Sequence, residues 1–280
     1  MGNYININGK LLTGDAAVVP CDNRAFRYGY GLFETMLYAD GRIILADYHW
    51  KRLFAGMSQL YFEIPKLWKK SFFEAAIERT VLKNKLEALC RVRLQVYPGS
   101  GGLYDLQDQQ PRFLIECFPL EKDITRLNEN GWQVGMAAGI YKSADALSNL
   151  KSCNALIYAI AAQQAKANRW NDALICNTDG RVIESTIANI FWVKEETIYT
   201  PPLSEGCVAG VMRQFLLDFL PTQSIQISTT LLTEEILLQA DEVFLTNSIR
   251  NIKWIGRFGE KTYGHSMAAT VQQMLPKIYP

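Results

Sequence analysis

The sequence predicts a mixed α/β fold of the α+β kind, arranged as two domains. Three observations carry this. The chain has 280 residues, more than the roughly 100–200 that usually make one domain. Short strand and helix patterns alternate along it without an internal repeat. A charged stretch, Leu120 to Gly131 (LEKDITRLNENG), interrupts the apolar periodicity near the middle. That break separates a smaller N-terminal α/β domain, residues 1–121, from a larger C-terminal domain, residues 122–280.

In order, Tyr4 to Ile7 reads as a strand, Asn8-Gly9 as a turn, Leu32 to Tyr38 as a second strand and Asp40-Gly41 as its turn. Asp47 can cap a helix whose apolar residues Trp50, Leu53, Phe54, Met57 and Leu60 recur at helical spacing. Leu67 to Leu86 carries a second helical pattern, and strands follow at Cys90 to Tyr97 and Phe113 to Phe118. Beyond the break come strand Gln133 to Ala137, helix Cys153 to Ala167, strand Ala173 to Asn177 and the Asp179-Gly180 turn. Paired strands Val182 to Glu184 and Asn189 to Val193 precede the Pro201-Pro202 break. A helix from Val208 to Leu220 and strands Asp241 to Thr246 and Asn251 to Phe258 complete the reading.

Nearly half of the residues are hydrophobic and a fifth are charged, the balance of a globular protein with a sizeable core. A net charge of +1 with scattered basic residues offers no footprint for nucleic acid or an anionic membrane, so the expected partner is a small molecule. The opening MGNYININGK has no basic region followed by an apolar one, and Asn6 stands where acylation of Gly2 would want Ser or Thr. The six cysteines lie far apart with no CxxC pair, which suits a reduced, cytoplasmic setting. With only His49 and His265, no metal site is expected.

Lys151 follows Asn149 and Leu150 in SNLKSCNALIYA and precedes an apolar helix. An ammonium near the positive end of a helix and against apolar walls has its charged form disfavoured, and the amine becomes a better nucleophile. Taken alone the segment favours a solvated lysine, so its partners decide. Glu184, in GRVIESTIANIFW, ends a strand where a carboxylate can keep a pyridine nitrogen protonated, or serve as an exposed hairpin residue. Gly210, in VAGVMRQF, opens a helix whose first N–H groups suit a phosphate. Arg52, on the first-domain helix, offers a fixed positive charge. The run Gly99 to Gly102 follows a strand but lacks the G-x-G-x-x-G spacing of dinucleotide sites.

Together these residues resemble the class IV pyridoxal-phosphate enzymes, the family of branched-chain aminotransferases, D-amino-acid aminotransferases and aminodeoxychorismate lyases. Glu184, Thr186, Asn189, Ile190 and Phe191, then Ile198 and Thr200, then Val208, Gly210, Val211 and Arg213 fall at the family signature's spacing. The run RYGYGLFETMLY and the helix with His49 and Arg52 are similar too, so the likeness spans nearly the whole chain. The resemblance implies fold type IV with pyridoxal 5′-phosphate between the lobes and Lys151, in the C-terminal domain, as the Schiff-base lysine. It places Glu184 at the pyridine nitrogen, and Arg52, the backbone of Val211 and Met212, and Ser248 at the phosphate. It also implies a homodimer whose sites borrow residues from the other subunit. The intact set of Lys151, Glu184 and Arg52 argues against a non-catalytic binding protein of the same fold.

Within the family, Thr35 in FETM stands where branched-chain aminotransferases carry Gly, and its hydroxyl resembles the lyase arrangement. The TNS run from Thr246 to Ser248, and VMRQF with NIFW, lean the same way. The resemblance therefore implies an aminodeoxychorismate lyase, converting 4-amino-4-deoxychorismate to 4-aminobenzoate and pyruvate for folate synthesis, with Lys151 and Thr35 catalytic. The alternative is a class IV aminotransferase acting on branched-chain L-amino acids or on D-amino acids, although the Arg-x-His pair of the D-amino-acid enzymes is absent. For the substrate, Arg93, Arg91, Arg27 and Phe33 are the candidates. Arg91 and Arg93 share a strand face and can grip a carboxylate bidentately, while Tyr97-Pro98 replaces the arginine usual before the glycine turn.

Overall fold

A computed structural model describes residues 4–16, 19–101, 103–104, 108 and 110–275; Gly2 and Gly102 of the sequence reading lie outside them. The chain divides into two compact units. One runs through Ile124 and takes in Lys151–Asn154, and the other comprises Thr125–Leu150 and continues from Ala155. Lys151, expected in the C-terminal domain, is thus counted with the first unit. The reason is backbone pairing: Phe33 N donates to Lys151 O at 2.9 Å and Cys153 N donates to Gly31 O at 2.8 Å.

In the first unit, β1 (Tyr4–Ile7) and β2 (Lys10–Thr13) form a hairpin over Asn8-Gly9. The positive φ values there, 51° and 88°, are the pair that a type I′ turn requires. A short helix α1 (Arg24–Tyr28) leads to β3 (Leu32–Ala39), which turns through Asp40-Gly41 into β4 (Arg42–Ile43). Helices α2 (Ala46–Gln59) and α3 (Lys70–Asn84) precede β5 (Leu89–Pro98) and β6 (Pro111–Pro119). The strands form one antiparallel sheet in the order β2-β1-β6-β5-β3-β4. Phe73 on α3 is fully buried, stacked on Trp50 and edge-on to Trp68 and Phe113. Removing one such ring from water is worth roughly 1.5–3 kcal/mol.

Two helix starts differ from expectation. Asp47 does not cap α2: the cap is Leu45 at φ 54°, and Asp47 instead accepts from Lys70 Nζ at 2.6 Å. Helix α3 begins at Lys70, because Trp68 N bonds Pro65 O in a preceding turn.

The second unit contains β7 (Trp132–Lys142), α4 (Leu156–Ala167), β8 (Asp172–Asn177), β9 (Val182–Ser185), β10 (Asn189–Lys194) and β11 (Thr197–Thr200). These are followed by α5 (Val211–Phe219), β12 (Ile227–Thr229), α6 (Glu234–Gln239), β13 (Glu242–Asn247), β14 (Asn251–Phe258), β15 (Lys261–Thr262) and α7 (Ser266–Met274). The path β10-β13-β14-β7-β8-β9 returns to β10 through the pair Asn189 and Glu184, closing the sheet on itself. Its interior is filled by Val134, Leu174, Ile190, Trp192, Leu245 and Ile255, among others. Between parallel β7 and β8, α4 lays Ala161 and Ala165 against Ala137, Ala173 and Ile175.

Strand β7 runs further than its alternation suggests, because a register shift between Met136 and Tyr141, with Gly139 at φ 70°, breaks the period-2 pattern. Helix α4 begins at Leu156 and not at Cys153, since residues 151–153 are extended along β3.

Candidate active site

Alternation along β3 puts half-buried Phe33 and Thr35 on one face, and buried Glu34 and Met36 on the other. Residues 151–153 lie along the start of this strand, with Ser152 bridged to Leu32. Lys151 Nζ lies 4.5 Å from the centroid of the Phe33 ring, and the Arg93 guanidinium lies 3.9 Å from the same centroid. Across the β3–β5 ladder Thr35 stands opposite Arg93. Lys151, Phe33, Thr35 and Arg93 therefore come together. Arg93 is steadied by Nη2, which donates to Gln95 Oε1 at 3.0 Å, and its burial lowers its pKa from the ordinary arginine value.

Glu34 is met by two residues one turn apart on α2. Arg52 donates through Nε to Oε1 at 2.8 Å and through Nη2 to Oε2 at 2.5 Å, and His49 Nδ1 lies 2.6 Å from Oε2. Burial opposes ionisation of Glu34, yet Arg52 and then His49 hold its carboxyl down at about 2. Burial likewise pushes His49 below its ordinary range against the pull of Glu34, with the charges of Arg52 and Lys151 adding to the depression. Arg52 is thus anchored by a bidentate bond to a buried carboxylate, which orients its fork.

In the second unit Glu184 is buried where β9 meets β10. Its Oε1 accepts from Lys142 Nζ at 2.6 Å and from the Tyr158 hydroxyl at 2.8 Å, and its Oε2 accepts from Val208 N at 2.9 Å. Asn189 Nδ2 donates to Val208 O at 2.9 Å, so the loop before α5 is pinned from both sides. A Cβ at Gly210 would stand 1.8 Å from Asn189 Oδ1, so any larger residue would force the Asn189 side chain or the loop to shift. Helix α5 then opens at Val211 and Met212 with no side-chain cap. Ser248 sits in the turn between β13 and β14, shaped by Asn247 Oδ1 accepting from Ile249 N at 3.0 Å and Arg250 N at 2.8 Å. Asn247 Nδ2 also donates to Ile187 O at 3.2 Å, tying this turn to the STIA turn.

Two substrate candidates do not join the cluster on β3. Arg91 is exposed with its guanidinium 4.4 Å from the Phe118 ring, and exposed Arg27 donates through Nε to Cys21 O at 3.2 Å. Sequence reasoning missed Glu34, His49, Lys142 and Tyr158. Glu34 was signalled by a charge on the inward phase of an otherwise apolar strand, and His49 by its place one turn before Arg52.

The model of the Amino-transferase class IV family matches residues 31–255. The chain belongs to this family. Among class IV proteins it is similar to the aminodeoxychorismate lyase of Vibrio harveyi, 30% identical over 243 residues that cover 84% of this chain and 85% of that protein. It is also similar to the aminodeoxychorismate lyase of Bacillus subtilis (strain 168), 27% identical over 277 residues, 98% of this chain and 93% of that one. Among solved structures, the branched-chain aminotransferase of the archaeon Thermoproteus uzoniensis matches with a TM-score of 0.87 at 21% identity, over 99% of this chain and 94% of that chain. That last likeness is one of fold.

The class IV cofactor is pyridoxal phosphate, and the donor set suits it. In the first unit, an oriented guanidinium has the chemistry for a phosphate and a lysine amine beside an aromatic ring that for an aldehyde; in the second unit, a helix start has the chemistry for a phosphate and a buried carboxylate that for a ring nitrogen. A carboxylate has about four acceptor positions. Among the described residues, donors to Glu184 take three of those positions, two on Oε1 and one on Oε2.

Proposed function

We propose that this class IV protein is a pyridoxal-phosphate lyase that converts 4-amino-4-deoxychorismate to 4-aminobenzoate and pyruvate. The observation that carries the proposal is the Thr35 hydroxyl, half-buried beside Phe33 on the β3 face approached by Lys151 and opposite Arg93. The names of the two curated relatives support it.

Lys151 would hold the cofactor covalently, and Arg52, the backbone of Val211 and Met212, and Ser248 would hold its phosphate. Bound there, pyridoxal phosphate supplies an electron sink for negative charge on the substrate carbon next to the amine. Lys151 Nζ would remove the proton from that carbon as a general base. Thr35 supplies a hydroxyl donor near the leaving three-carbon fragment. Arg93 pairs with a substrate carboxylate, its planar fork favouring bidentate contact, and the Phe33 ring forms an apolar wall for the six-membered ring of the substrate. Glu184 offers its remaining Oε2 position to the pyridine nitrogen. The reading extends to a cytoplasmic homodimer whose product enters folate synthesis, supported by resemblance. No described helix is long and apolar enough to cross a membrane.

The test is to load the protein with pyridoxal phosphate, add 4-amino-4-deoxychorismate and measure pyruvate, then offer branched-chain L-amino acids and D-alanine with 2-oxoglutarate. Pyruvate release that outpaces transamination is the expected result. Transamination without pyruvate release would replace the lyase reading with that of an aminotransferase.

A further inference from the structure

Lys142 has no part in the roles assigned so far, yet its buried ammonium lies against Glu184. It is the last residue of β7 and stands opposite Asn177 of β8, while Ile175 of β8 stands opposite Glu184 of β9. Paired strands, not a loop, therefore set the 2.6 Å contact. The groups around it do not titrate near neutrality. Burial first, and Glu184 second, push the Tyr158 phenol far up, so it remains a donor. The same two causes push the Cys207 thiol up to about 11, against the smaller opposing pull of Arg213 and Lys142. Arg213 itself donates to Pro201 O at 2.8 Å, and the remaining contact on Glu184 is the neutral Val208 N–H. Among the described residues Lys142 is the cation that Glu184 touches.

A carboxylate that already neutralises one buried ammonium attracts a second cationic donor less strongly, because its charge is shared and the two cations repel at short range. We propose that Lys142 is a positioning residue that shares the charge of Glu184, so that the pyridine nitrogen of bound cofactor is protonated less completely than Glu184 alone would make it. The Oε2 position orients the ring nitrogen, while the ammonium on Oε1 lowers that nitrogen's basicity. This rests on the proposed function only through the cofactor and the place of Glu184 beside its ring.

The experiment is ¹⁵N NMR of the holoenzyme carrying pyridoxal phosphate labelled at the ring nitrogen, near neutral pH. In the wild type the signal should lie between the free-base and pyridinium positions. Lys142→Met should move it to the pyridinium position, and Lys142→Arg, which keeps the charge, should leave it near the wild-type value. A wild-type signal already at the pyridinium position overturns the proposal without any variant. Coincident signals in wild type and Lys142→Met overturn it too, as does an equal displacement in Lys142→Arg, which would assign the effect to packing. A protein that takes up no labelled cofactor overturns the proposed function itself, and this inference with it.

Discussion

Replacing Glu34 by glutamine keeps the shape of the side chain and removes the charge that Arg52 and His49 share. In the folded protein this carboxyl is held at about 2 against an ordinary 4.5. A depressed carboxyl pKa stabilises the fold above the unfolded value, and the contribution is lost as pH falls from 4.5 toward 2. With those two values, linkage gives a loss of about 2 kcal/mol between neutral pH and roughly pH 3, out of about 3 kcal/mol in all. His49 acts in the same direction at higher pH. Its pKa is pushed below 6.5, chiefly by burial, so the unfolded chain takes up the proton first and stability begins to fall below 6.5. Glu34→Gln should therefore flatten the lower acid limb, and at neutral pH it should be less stable by roughly 3 kcal/mol because a buried charge pair has lost one member. Hydrogen exchange of α2 and β3 peptides across a urea series, read by mass spectrometry at each pH, reports this unit separately. Acid limbs of equal depth in wild type and Glu34→Gln would refute the reasoning.

Lys151→Ala should abolish the visible absorption band formed with added pyridoxal phosphate and the mass increment fixed by borohydride; a surviving increment on another lysine would move the attachment elsewhere. Thr35→Val should lower pyruvate release by about 100-fold or more, as loss of a positioned proton donor does, and should lower transamination less; equal losses would make Thr35 a packing residue. Gly210→Ala brings a Cβ to within 1.8 Å of Asn189 Oδ1, so it should destabilise the protein by roughly 1–3 kcal/mol and weaken cofactor retention, measured by denaturation midpoint and dialysis. An unchanged midpoint would mean that the loop yields freely.

Local chemistry was the legible part of this chain. Asn8-Gly9 and Asp40-Gly41 announce their turns because few dipeptides adopt two positive φ values in succession. Gly210 announces the start of α5, and the signature around Glu184 marks β9 and β10. What stayed hidden depends on pairing between distant segments. Lys142 and Glu184 meet because β7, β8 and β9 are neighbours, which no periodicity in either segment encodes. Cys153 looks helical from its own neighbourhood, but Gly31 claims its N–H and delays the helix to Leu156. Arg91 and Arg93 look equivalent by alternation, and only the rings they meet, Phe118 and Phe33, separate them.

The backbone bonds that flank Lys151, one to Phe33 and one from Cys153 to Gly31, turn this residue into a pivot. With its main chain stapled to a strand, the amine moves by rotation about side-chain bonds, where a residue on a loop would also wait on the slower motion of its backbone. In the role proposed for Lys151, such an amine would stay on its tether at an effective concentration that no free amine reaches. In that proposed role one short arm would suffice as anchor and as base, with no lid required to carry it between the two tasks.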